Sequence, residues 1–291
     1  MTGFTYQEFT TRNLGFVSAE EQTRLRNASV FVCGTGGMGG SAIMTLIRAG
    51  VGRLILADLD AFAVANLNRQ LFATLKTVDQ DKAQATRDQC LQINPEAVIE
   101  VLGVDWTDQV ERLVQSADVV INGTDDLGAS LLLYRTARAL GRAVVDAYAS
   151  PLPSVYVTLP GDPMPEERLD YTTRGTNWDE LTPEMRNAAA MAEAEYVLTH
   201  SSSRRHVDLA LAGEVIAGTR SRMSFAPMVI MAGSLMGGEA LQAILGRPHG
   251  ADCRGWFLNP HIGRIERPLP SVFAAMMRPL VRRQMKRLLT S

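Results

Sequence analysis

Three glycines at the spacing Gly34-x-Gly36-x-x-Gly39 follow a short apolar run and open a segment with helical periodicity. Glycines let the backbone turn tightly and approach a phosphate, and the first N–H groups of a helix attract an anion. Asp58 ends the next apolar run, where a carboxylate can accept hydrogen bonds from ribose hydroxyls. This pattern predicts a nucleotide site, and by itself it leaves NAD, FAD, S-adenosylmethionine and ATP open.

Polar residues beyond Asp58 favour a nucleotide that carries a triphosphate. Asn66 and Arg69 lie in one short segment, and the planar guanidinium of Arg69 can hold terminal phosphates. Lys82 supplies a compact positive charge for the site of bond cleavage. Asp125 follows an apolar strand, at the edge of a parallel sheet where ligands bind, and it would offer Mg²⁺ an oxygen ligand. A dehydrogenase has no general need for this set, so the residues favour MgATP.

Four stretches together carry a resemblance to a known family: GTGGMGGSAIMTLIRAGVGRLILADLDAFAVANLNRQLF from Gly34, then Lys82, Asn94-Pro95 and Gly123-Thr124-Asp125-Asp126. They resemble the ThiF/MoeB/HesA family, bacterial relatives of the ubiquitin-activating E1 enzymes. The resemblance is close over residues 10–150 and weak through a glycine-rich helix near 233–247. It implies an enzyme that uses MgATP to adenylate a carboxylate and releases pyrophosphate. The carboxylate would belong to a sulfur-carrier protein, a peptide or a small molecule.

The resemblance also implies roles for individual positions. Gly37 would lie against the phosphates, Asp58 would hold the ribose and Asp125 would bind magnesium. The positions implied to bind the nucleotide are Gly34, Gly36, Gly37, Gly39, Asp58, Asp60, Asn66, Arg69, Lys82 and Asp126, the last of which stands where the family often has Asn. Those implied in catalysis are Arg69, Lys82, Asp125 and Arg12. Arg12 matches an N-terminal arginine that family dimers donate to the partner's ATP, which implies a homodimer with shared sites.

Each of these positions also has an ordinary structural interpretation. Arg12 could be an exposed arginine in a tail, and Asp60 could cap the turn that follows it. Lys82 could be solvated on a polar helix face, as most lysines are. Asp125 could be the N-cap of a helix that starts near Leu127, a role compatible with metal binding.

The cysteines depart from the family pattern. The chain has only Cys33, Cys90 and Cys253, so it lacks the two Cys-x-x-Cys pairs with which many members hold zinc, and no zinc is expected. No cysteine lies between 91 and 252, where many members carry a thiol that takes over the acyl group. Direct transfer to an amine, thiol or water, or dehydration in place, is expected instead. Cys33 and Cys90 are expected to be small buried hydrophobic residues.

Apolar runs that alternate with helical patterns predict a doubly wound, mostly parallel α/β sheet with helices on both faces. Strands are expected at 28–34, 53–58, 97–105, 117–124, 142–148 and 154–161. Helices are expected at 18–27, 41–50, 79–93, 107–116, 127–141, 183–199, 204–217 and 227–246. A hairpin from 256–260 and 263–268 would extend the second half as antiparallel structure, and 161–182 is typical of a long surface loop.

No clear linker interrupts the chain, which favours one domain over 1–291. Within it, 10–150 is expected to be the nucleotide-binding half. Residues 151–291 are expected to form the half that binds the substrate and makes the dimer.

Composition narrows the function classes. The chain has 291 residues, 46% apolar and 21% charged, with a formal net charge of -2. These values exclude wholesale disorder and make a strongly basic nucleic-acid binder unlikely. The N-terminus lacks the features of a signal peptide, and the longest apolar segment, Phe225–Leu245, is interrupted by glycines and Glu239, so it favours a buried helix over a membrane span. A cytoplasmic protein with no integral membrane segment is expected, since no disulfide framework can be written.

Two polar segments allow a functional and an ordinary interpretation. His200 and His206 flank Ser201–Arg205 and could bind a carboxylate or phosphate, although a polar loop between two helices is the more common case. The apolar and basic segment 271–291 could bind a membrane surface or a partner, and it is favoured as a helix docked on its own chain.

Two other functions remain open from the sequence. A nicotinamide-dependent oxidoreductase would use the same glycine turn, but the sequence offers no candidate for a hydride relay. A nucleotide-binding scaffold without catalysis would also retain the turn.

Overall fold

An eight-stranded sheet lies at the centre of the chain in a computed structural model that describes residues 3–216 and 219–290. The strands are β1 Ser29–Cys33, β2 Arg53–Ala57, β3 Val98–Leu102, β4 Val119–Asn122, β5 Ala143–Asp146, β6 Ser154–Thr158, β7 Trp256–Asn259 and β8 Arg264–Glu266. Their order across the sheet is β3-β2-β1-β4-β5-β6-β7-β8. Strands β1 to β5 are parallel, whereas β6, β7 and β8 pair antiparallel. The predicted doubly wound sheet with an antiparallel extension is confirmed.

The described helices surround this sheet. They are α1 Tyr6–Thr10, α2 Ala19–Asn27, α3 Gly37–Ala49, α4 Lys82–Ile93, α5 Val110–Gln115, α6 Leu127–Ala139, α7 Pro165–Arg168, α8 Pro183–His200, α9 Leu209–Ile216, α10 Ala226–Leu245 and α11 Ser271–Thr290. Short 3₁₀ turns are found at Thr11–Asn13, Val64–Asn66, Val104–Trp106 and Ser203–Arg205.

The apolar core consists of two layers, one on each face of the parallel strands. In β1, Val30 and Val32 pack towards α3 and α10, while Phe31 packs on the opposite face towards α5 and α6. Every residue of β1 is buried, because both faces of a parallel sheet are covered by helices. This explains why the strand is a continuous apolar run rather than an alternating one.

The strand order reverses between β1 and β4. From β1 the chain adds β2 and β3 on one side, and it then crosses to β4 and adds the later strands on the other side. In open α/β sheets, the carboxyl ends of the strands at such a point border a crevice where ligands bind. The glycine turn after β1 and the segment Gly123–Asp126 after β4 both lie at this edge. The topology therefore brings two separate sequence motifs to one place.

The first residues of two helices differ from the sequence prediction, because the local backbone or an N-cap side chain determines where each helix begins. Helix α3 starts at Gly37 instead of residue 41, so the glycine turn is itself the first turn of the helix. Helix α4 starts at Lys82 because the Asp81 carboxylate accepts the backbone N–H of Gln84 at 2.7 Å, an N-cap. Helix α2 begins with a capping box between Ser18 and Glu21.

The prediction of a plain surface loop at 161–182 is wrong in part. The segment contains α7, and Glu166 within it is buried. Arg135 of α6 donates to both carboxylate oxygens of Glu166 at 2.9 and 2.7 Å. This bidentate pair, together with the hydroxyl of Thr173, holds the segment on the sheet's helical layer.

Helix α10 is long and apolar enough to cross a membrane by length and composition. Here it packs on α3 and on β4, β5 and β6. Its Glu239 is buried and is paired with His249 at 3.2 Å, and it accepts the N–H of Gly250. One face of the helix therefore packs on the core, and 39% of its apolar window is buried. The buried helix that the sequence favoured is present on that face.

The C-terminal helix α11 docks on α8 and α9. Arg282 lies 2.7 Å from the Glu195 carboxylate of α8, and Arg278 lies 3.9 Å from it. Pro279 lies within the helix. Docking on its own chain agrees with the interpretation that the sequence favoured.

Gly233→Ala should destabilise the protein, because α10 approaches α3 through glycines. An added Cβ at Gly233 would collide with the Met38 carbonyl and would lie 2.5 Å from the Ser41 Cβ. We expect the free energy of unfolding in urea to fall by about 1–3 kcal/mol, as for other overpacked contacts.

Gly238→Ala is the matched control on the same helix, since no atom lies within 4 Å of the added Cβ. Alanine is the better helix former, so this variant should be stabilised by about 0.5–1 kcal/mol. Equal stability of the two variants would contradict the close packing of α10 on α3.

Candidate functional site

The glycine turn brings three stretches of backbone into direct contact. Gly34 has a φ of +87°, in the left-handed region, and its added Cβ would collide with the Gly123 backbone. An added Cβ at Gly39 would collide with the Gly34 carbonyl. The turn therefore requires glycine at these positions, because any side chain would push α3 away from β1 and β4.

The N-terminus of α3 is open to a ligand. Gly36 is the N-cap, and no side chain caps the first N–H groups of the helix. These groups carry the partial positive charge of the helix and form an anion site. The Cγ of Arg69 lies 3.9 Å from the Cβ position of Gly37. The predicted phosphate cradle and Arg69 are thus adjacent in the fold.

Asp58 accepts hydrogen bonds from the glycine turn. Its Oδ2 accepts hydrogen bonds from the backbone N–H of Thr35 at 2.7 Å and from the Thr35 hydroxyl at 3.0 Å. Its Oδ1 accepts the N–H of Asp60 at 3.0 Å. Thr35 is fully buried, and sequence reasoning missed it because it is the variable residue between two glycines.

Gln70 is a second residue that sequence reasoning did not select. Its amide Nε2 lies 3.4 Å from the Cβ position of Gly36, and its buried Oε1 has no hydrogen-bond partner in the described chain. An unpaired buried acceptor is costly unless a ligand or water satisfies it. Together with the bare backbone of the turn, it fits a bound nucleotide better than a turn without a ligand.

Lys82 is fixed in place rather than solvated on a helix face. Its side chain is only 9% exposed, and its Nζ lies 2.8 Å from Asp60 Oδ2. The Lys82 backbone N–H donates to the Asp60 carbonyl at 2.9 Å. Asp60 therefore positions Lys82, a role that differs from capping the following turn.

Asn66 and Arg69 make local contacts. The Asn66 Oδ1 accepts the N–H of Ala63 at 2.9 Å. One guanidinium nitrogen of Arg69 donates to the Ala65 carbonyl and to Asn68 Oδ1, both at 2.8 Å. The guanidinium thus rests on its own loop, and it would have to rotate to meet a phosphate at the turn.

Asp125 and Asp126 have different environments. Asp126 caps α6 by accepting the Ala129 N–H at 2.8 Å, and it is paired with Arg186 at 2.6 Å. The alternative that Asp125 is the helix cap is therefore wrong, since its neighbour has that position. Asp125 is 82% exposed, and among the described residues the cation paired with it is Arg222, at 3.6 Å. Its carboxylate is available as a single oxygen ligand, which suits Mg²⁺ bound mainly through phosphates.

Arg12 is separated from the other predicted site residues. Its turn packs at the far end of α3, where Asn13 donates to the Ala49 carbonyl and Tyr6 donates to the Gly50 carbonyl. The 13 residues of α3 span about 20 Å at 1.5 Å per residue. Within one chain Arg12 therefore does not reach the glycine turn, and its side chain has no partner among the described residues.

Cys33, directly before the glycine turn, and Cys90 of α4 are both buried. Burial raises the pKa of Cys33 far above its ordinary value and that of Cys90 to about 12. Neither thiol forms a thiolate near neutral pH, so both are the small buried residues that were predicted. In the described part of the chain, no three His, Cys, Asp or Glu side chains are grouped so as to hold a metal ion.

His200 and His206 make hydrogen bonds to other segments of the chain. His200 accepts the Leu269 N–H at 3.1 Å, and burial lowers its pKa to about 4. His206 lies 3.1 Å from the Asn259 amide and stacks on His261. These contacts connect the loop after α8 to the terminal hairpin, as the ordinary interpretation held.

A cavity of about 190 Å³ adjoins Asp125 at the carboxyl ends of β4 and β5. Its walls come from both halves of the chain, and the residues that line it are Met38, Asn122, Thr124, Asp125, Asp126, Leu127, Ser130, Asp146, Ala147, Tyr148, Ala149, Arg186, Ala189, Ala190, Glu193 and Arg222. Sequence reasoning selected neither Asp146 nor Glu193.

Two carboxylates in this cavity have raised pKa values. Burial raises the pKa of Asp146, although its carboxylate accepts hydrogen bonds from Asn122, Tyr134 and Ala147. Burial, with a smaller contribution from the charge of Asp146, raises the pKa of Glu193 to about 7. Such perturbed groups in a cleft mark a candidate functional site.

A family model described as the ThiF family matches residues 10–270. The chain belongs to the ThiF family. Among its relatives is the sulfur carrier protein ThiS adenylyltransferase of Escherichia coli, 31% identical over 134 residues, which are 46% of this chain and 53% of that protein. Another is the tRNA threonylcarbamoyladenosine dehydratase of Bacillus subtilis, 35% identical over 119 residues, 40% of this chain and 47% of the relative. The chain thus spans about half the length of these curated relatives.

Solved structures extend the likeness to the second half of this ThiF-family chain. The crystal structure of E. coli MccB with ATP aligns with a TM-score of 0.64 at 16% identity, covering 91% of this chain and 72% of that chain. The structure of PaaA aligns with a TM-score of 0.61 at 20% identity, covering 91% and 84%. At these identities the likeness concerns the fold, and it extends to the antiparallel strands.

The raised pKa of Glu193 predicts a pH-dependent stability. Ionising a group whose pKa is higher in the folded than in the unfolded state opposes folding, so stability is complete near pH 4.5 and is lost as the pH rises through about 7. Glu193→Gln should therefore be more stable than the wild type at pH 8 by about 1–3 kcal/mol, and similar to it at pH 5.

Urea unfolding at the two pH values measures this difference. Glu195→Gln is the matched control on the same helix, because Glu195 is paired with Arg282 at 2.7 Å and does not line the cavity. A gain for Glu193→Gln that is equal at pH 5 and pH 8 would be inconsistent with the raised pKa.

Proposed function

We propose that this chain is an ATP-dependent adenylyltransferase that activates a carboxylate as an acyl adenylate and releases pyrophosphate. The observation that carries the proposal is the uncapped N-terminus of α3 at the carboxyl ends of β1 and β4. Lys82, with its buried stem, is connected to this turn through Asp60 and Asp58, and the exposed Asp125 follows β4. Family membership and the sulfur-carrier adenylyltransferase among its relatives support the same activity.

Electrostatics explains why this set of residues suits the reaction. A carboxylate that attacks the α-phosphate brings two anions together, and negative charge grows on the departing pyrophosphate. Lys82 and the N–H groups of α3 would offset this charge, and Arg69 would join them after leaving its own loop. A general base is unnecessary, since the attacking carboxylate is ionised at neutral pH.

Asp125 is the proposed ligand of a magnesium ion. The donor chemistry fits: the carboxylate is exposed, and the only cation near it is Arg222 at 3.6 Å among the described residues. Magnesium would neutralise phosphate charge when bound. Asp126, by contrast, is already engaged as a helix cap and with Arg186, so its proposed contact with the nucleotide would depend on breaking that pair.

The nucleotide roles proposed for the remaining residues follow the same geometry. Gly34, Gly36, Gly37 and Gly39 would admit the phosphates to the turn, and Asp58 would accept ribose hydroxyls on the lone pairs that Thr35 and Asp60 leave available. Asn66 retains its amide N–H groups for a phosphate.

The proposed product of the first step passes directly to an external nucleophile. The sequence has no cysteine between 91 and 252, and the thiols of Cys33 and Cys90 are buried and protonated. An amine, a thiol or water would then attack the acyl adenylate, or the activated group would be dehydrated in place. The proposal does not involve zinc or a nucleic-acid surface.

A homodimer is proposed because Arg12 lies about one helix length from its own glycine turn. Only a second copy could bring this guanidinium to the phosphates, in line with the arrangement that the resemblance implies. The residues 151–291 would contribute the substrate wall and the dimer contacts, while 10–150 would bind the nucleotide.

Isothermal titration separates this proposal from a nicotinamide-dependent oxidoreductase. MgATP should bind to the wild type, and Lys82→Ala should weaken binding by about tenfold or more, the loss expected for one charge-assisted contact. Lys76→Ala, which removes an exposed lysine outside the site, should bind as the wild type does. Binding of NAD in preference to MgATP would refute the adenylation proposal.

Asp125→Ala should abolish ATP–pyrophosphate exchange stimulated by a carboxylate, with a loss of about 100-fold or more, as for other groups that stabilise transition-state charge. Asp108→Ala removes another exposed carboxylate, outside the cavity lining, and should leave exchange unchanged. Normal exchange by a folded Asp125→Ala variant would exclude the metal assignment.

Mixing two inactive variants tests the shared site. Arg12→Ala and Lys82→Ala should each lose exchange, and their mixture should regain about a quarter of the wild-type rate, since half of the dimers are mixed and each has one intact site. A mixture as inactive as its components, with subunit exchange verified, would show that Arg12 does not act across a dimer.

A further inference from the structure

The cavity beside Asp125 has an excess of negative charge and of unpaired acceptors. We infer that it binds a protonated amine on the carboxylate substrate, so that the enzyme selects an amine-bearing carboxylate. The inference rests on the proposed adenylation and concerns the substrate class of the same site. The side chains that line the cavity support it.

Charges at the mouth of the cavity offset each other, whereas those inside do not. Asp126 is paired with Arg186 at 2.6 Å, and Asp125 lies 3.6 Å from Arg222. All four side chains are at least 40% exposed. Deeper in the cavity, Asp146 and Glu193 have no cation within 4.0 Å among the described residues. Behind the wall, the guanidinium of Arg168 donates to the Tyr148 hydroxyl at 2.6 Å, and its charge acts on both carboxylates. The interior therefore has two carboxylates against one cation, so negative charge is in excess there, although the mouth is balanced.

Glu193 presents an oxygen without a partner. Its Oε1 accepts the Tyr171 hydroxyl at 2.7 Å, while Oε2 receives no hydrogen bond from any described residue. Asp146, by contrast, is held by three donors: Asn122 Nδ2 at 3.1 Å, the Tyr134 hydroxyl at 2.9 Å and the Ala147 N–H at 2.7 Å. Asp146 thus contributes negative charge to the cavity while its oxygens are held by the protein. Glu193 is the carboxylate that can contact a ligand.

Asn122 adds a second, independent acceptor. Asn122 is only 4% exposed, and its Nδ2 donates to Ser130 and Asp146. Its buried Oδ1 has no hydrogen-bond partner in the described chain. Because the donors of the amide are already used, only an incoming N–H or O–H can satisfy this oxygen. An alkylammonium has three N–H donors and no acceptor, which matches an unpaired carboxylate oxygen and an unpaired amide oxygen.

The size and position of the cavity agree with a substrate side group. About 190 Å³ is the space of roughly six water molecules, enough for an amine on a short chain. Asp125 lies on its wall, so a carboxylate activated near the proposed magnesium ligand could extend its amine inwards. Burying a charged amine requires a paired anion, and Glu193 provides one.

The inference has a pH signature. The titratable and charged groups that face Glu193 are Tyr171, Asp146, Arg168 and Arg222, and Arg186 also lines the cavity. With a pKa of about 7, Glu193 is largely neutral at pH 6 and charged at pH 8. An amine substrate should therefore bind more tightly at pH 8 than at pH 6, whereas a neutral chain of the same length should show no such gain.

Matched carboxylates test the amine directly. The probes are 5-aminopentanoate, pentanoate and glutarate, together with shorter and longer ω-amino acids and a tripeptide ending in lysine. Binding is measured by isothermal titration at pH 8 with Mg²⁺ and a non-hydrolysable ATP analogue. We expect at least one amine-bearing probe to bind about tenfold or more tightly than its neutral counterpart, and glutarate to bind worst.

Variants of α8 connect this preference to Glu193. Glu193→Gln should remove the tenfold preference and its pH dependence, Glu193→Asp should restore part of it, and the control Glu195→Gln should retain it. Equal binding of amine and neutral probes, no saturable binding by any amine probe, or an unchanged preference in Glu193→Gln would each overturn the inference.

A separate exchange assay keeps the two proposals distinguishable. Pyrophosphate exchange that is supported equally well by pentanoate and by amine probes would contradict the amine inference and leave adenylation standing. Selective amine binding without MgATP binding or exchange would support the cavity's chemistry and refute adenylation.

Discussion

The contact of bare backbone between β1, α3 and the segment after β4 is the constraint on which the rest of the site depends. Gly34, Gly39 and Gly123 touch each other where any Cβ would collide. This contact sets the first turn of α3 directly above the strand ends, with its N–H groups uncapped. A side chain at any of these positions would separate the helix from the sheet and move the anion site away from Lys82 and Asp125.

The charged groups around this turn differ in how firmly they are held. The stem of Lys82 is buried and its ammonium is paired with Asp60, so its position costs little further ordering when a ligand arrives. Arg69 is bonded to its own loop, and Asp125 is almost free in solvent. One fixed cation and two adjustable groups would suit the proposed polyphosphate ligand, because its binding and release would both require some of the contacts to break.

The second half of the chain joins the site through helix packing. Glycines of α10 allow it to lie directly on α3, and α8 places Arg186 and Glu193 on the wall opposite β4 and β5. The acidic interior of that wall is costly to bury without a cation, which is the physical reason to expect a positively charged group on the substrate. The thiols of Cys33 and Cys90 are buried and protonated, which agrees with the proposal that the activated acyl group is transferred without a covalent intermediate on these cysteines.

The sequence by itself determined the sheet and the glycine turn, and it supplied the candidates for nucleotide binding, because these depend on local signals: continuous apolar runs, glycine spacing and polar residues at strand ends. Tertiary structure decided the rest. Residue spacing does not determine the direction in which a side chain points. For this reason only the structure shows that Asp126 and not Asp125 caps α6, and that Asp60 holds Lys82. The same is true of the positions of Thr35 and Gln70 beside the turn. Asp146 and Glu193 lie 47 residues apart in the sequence, and only the packing of α8 against the strand ends brings their charges into one cavity.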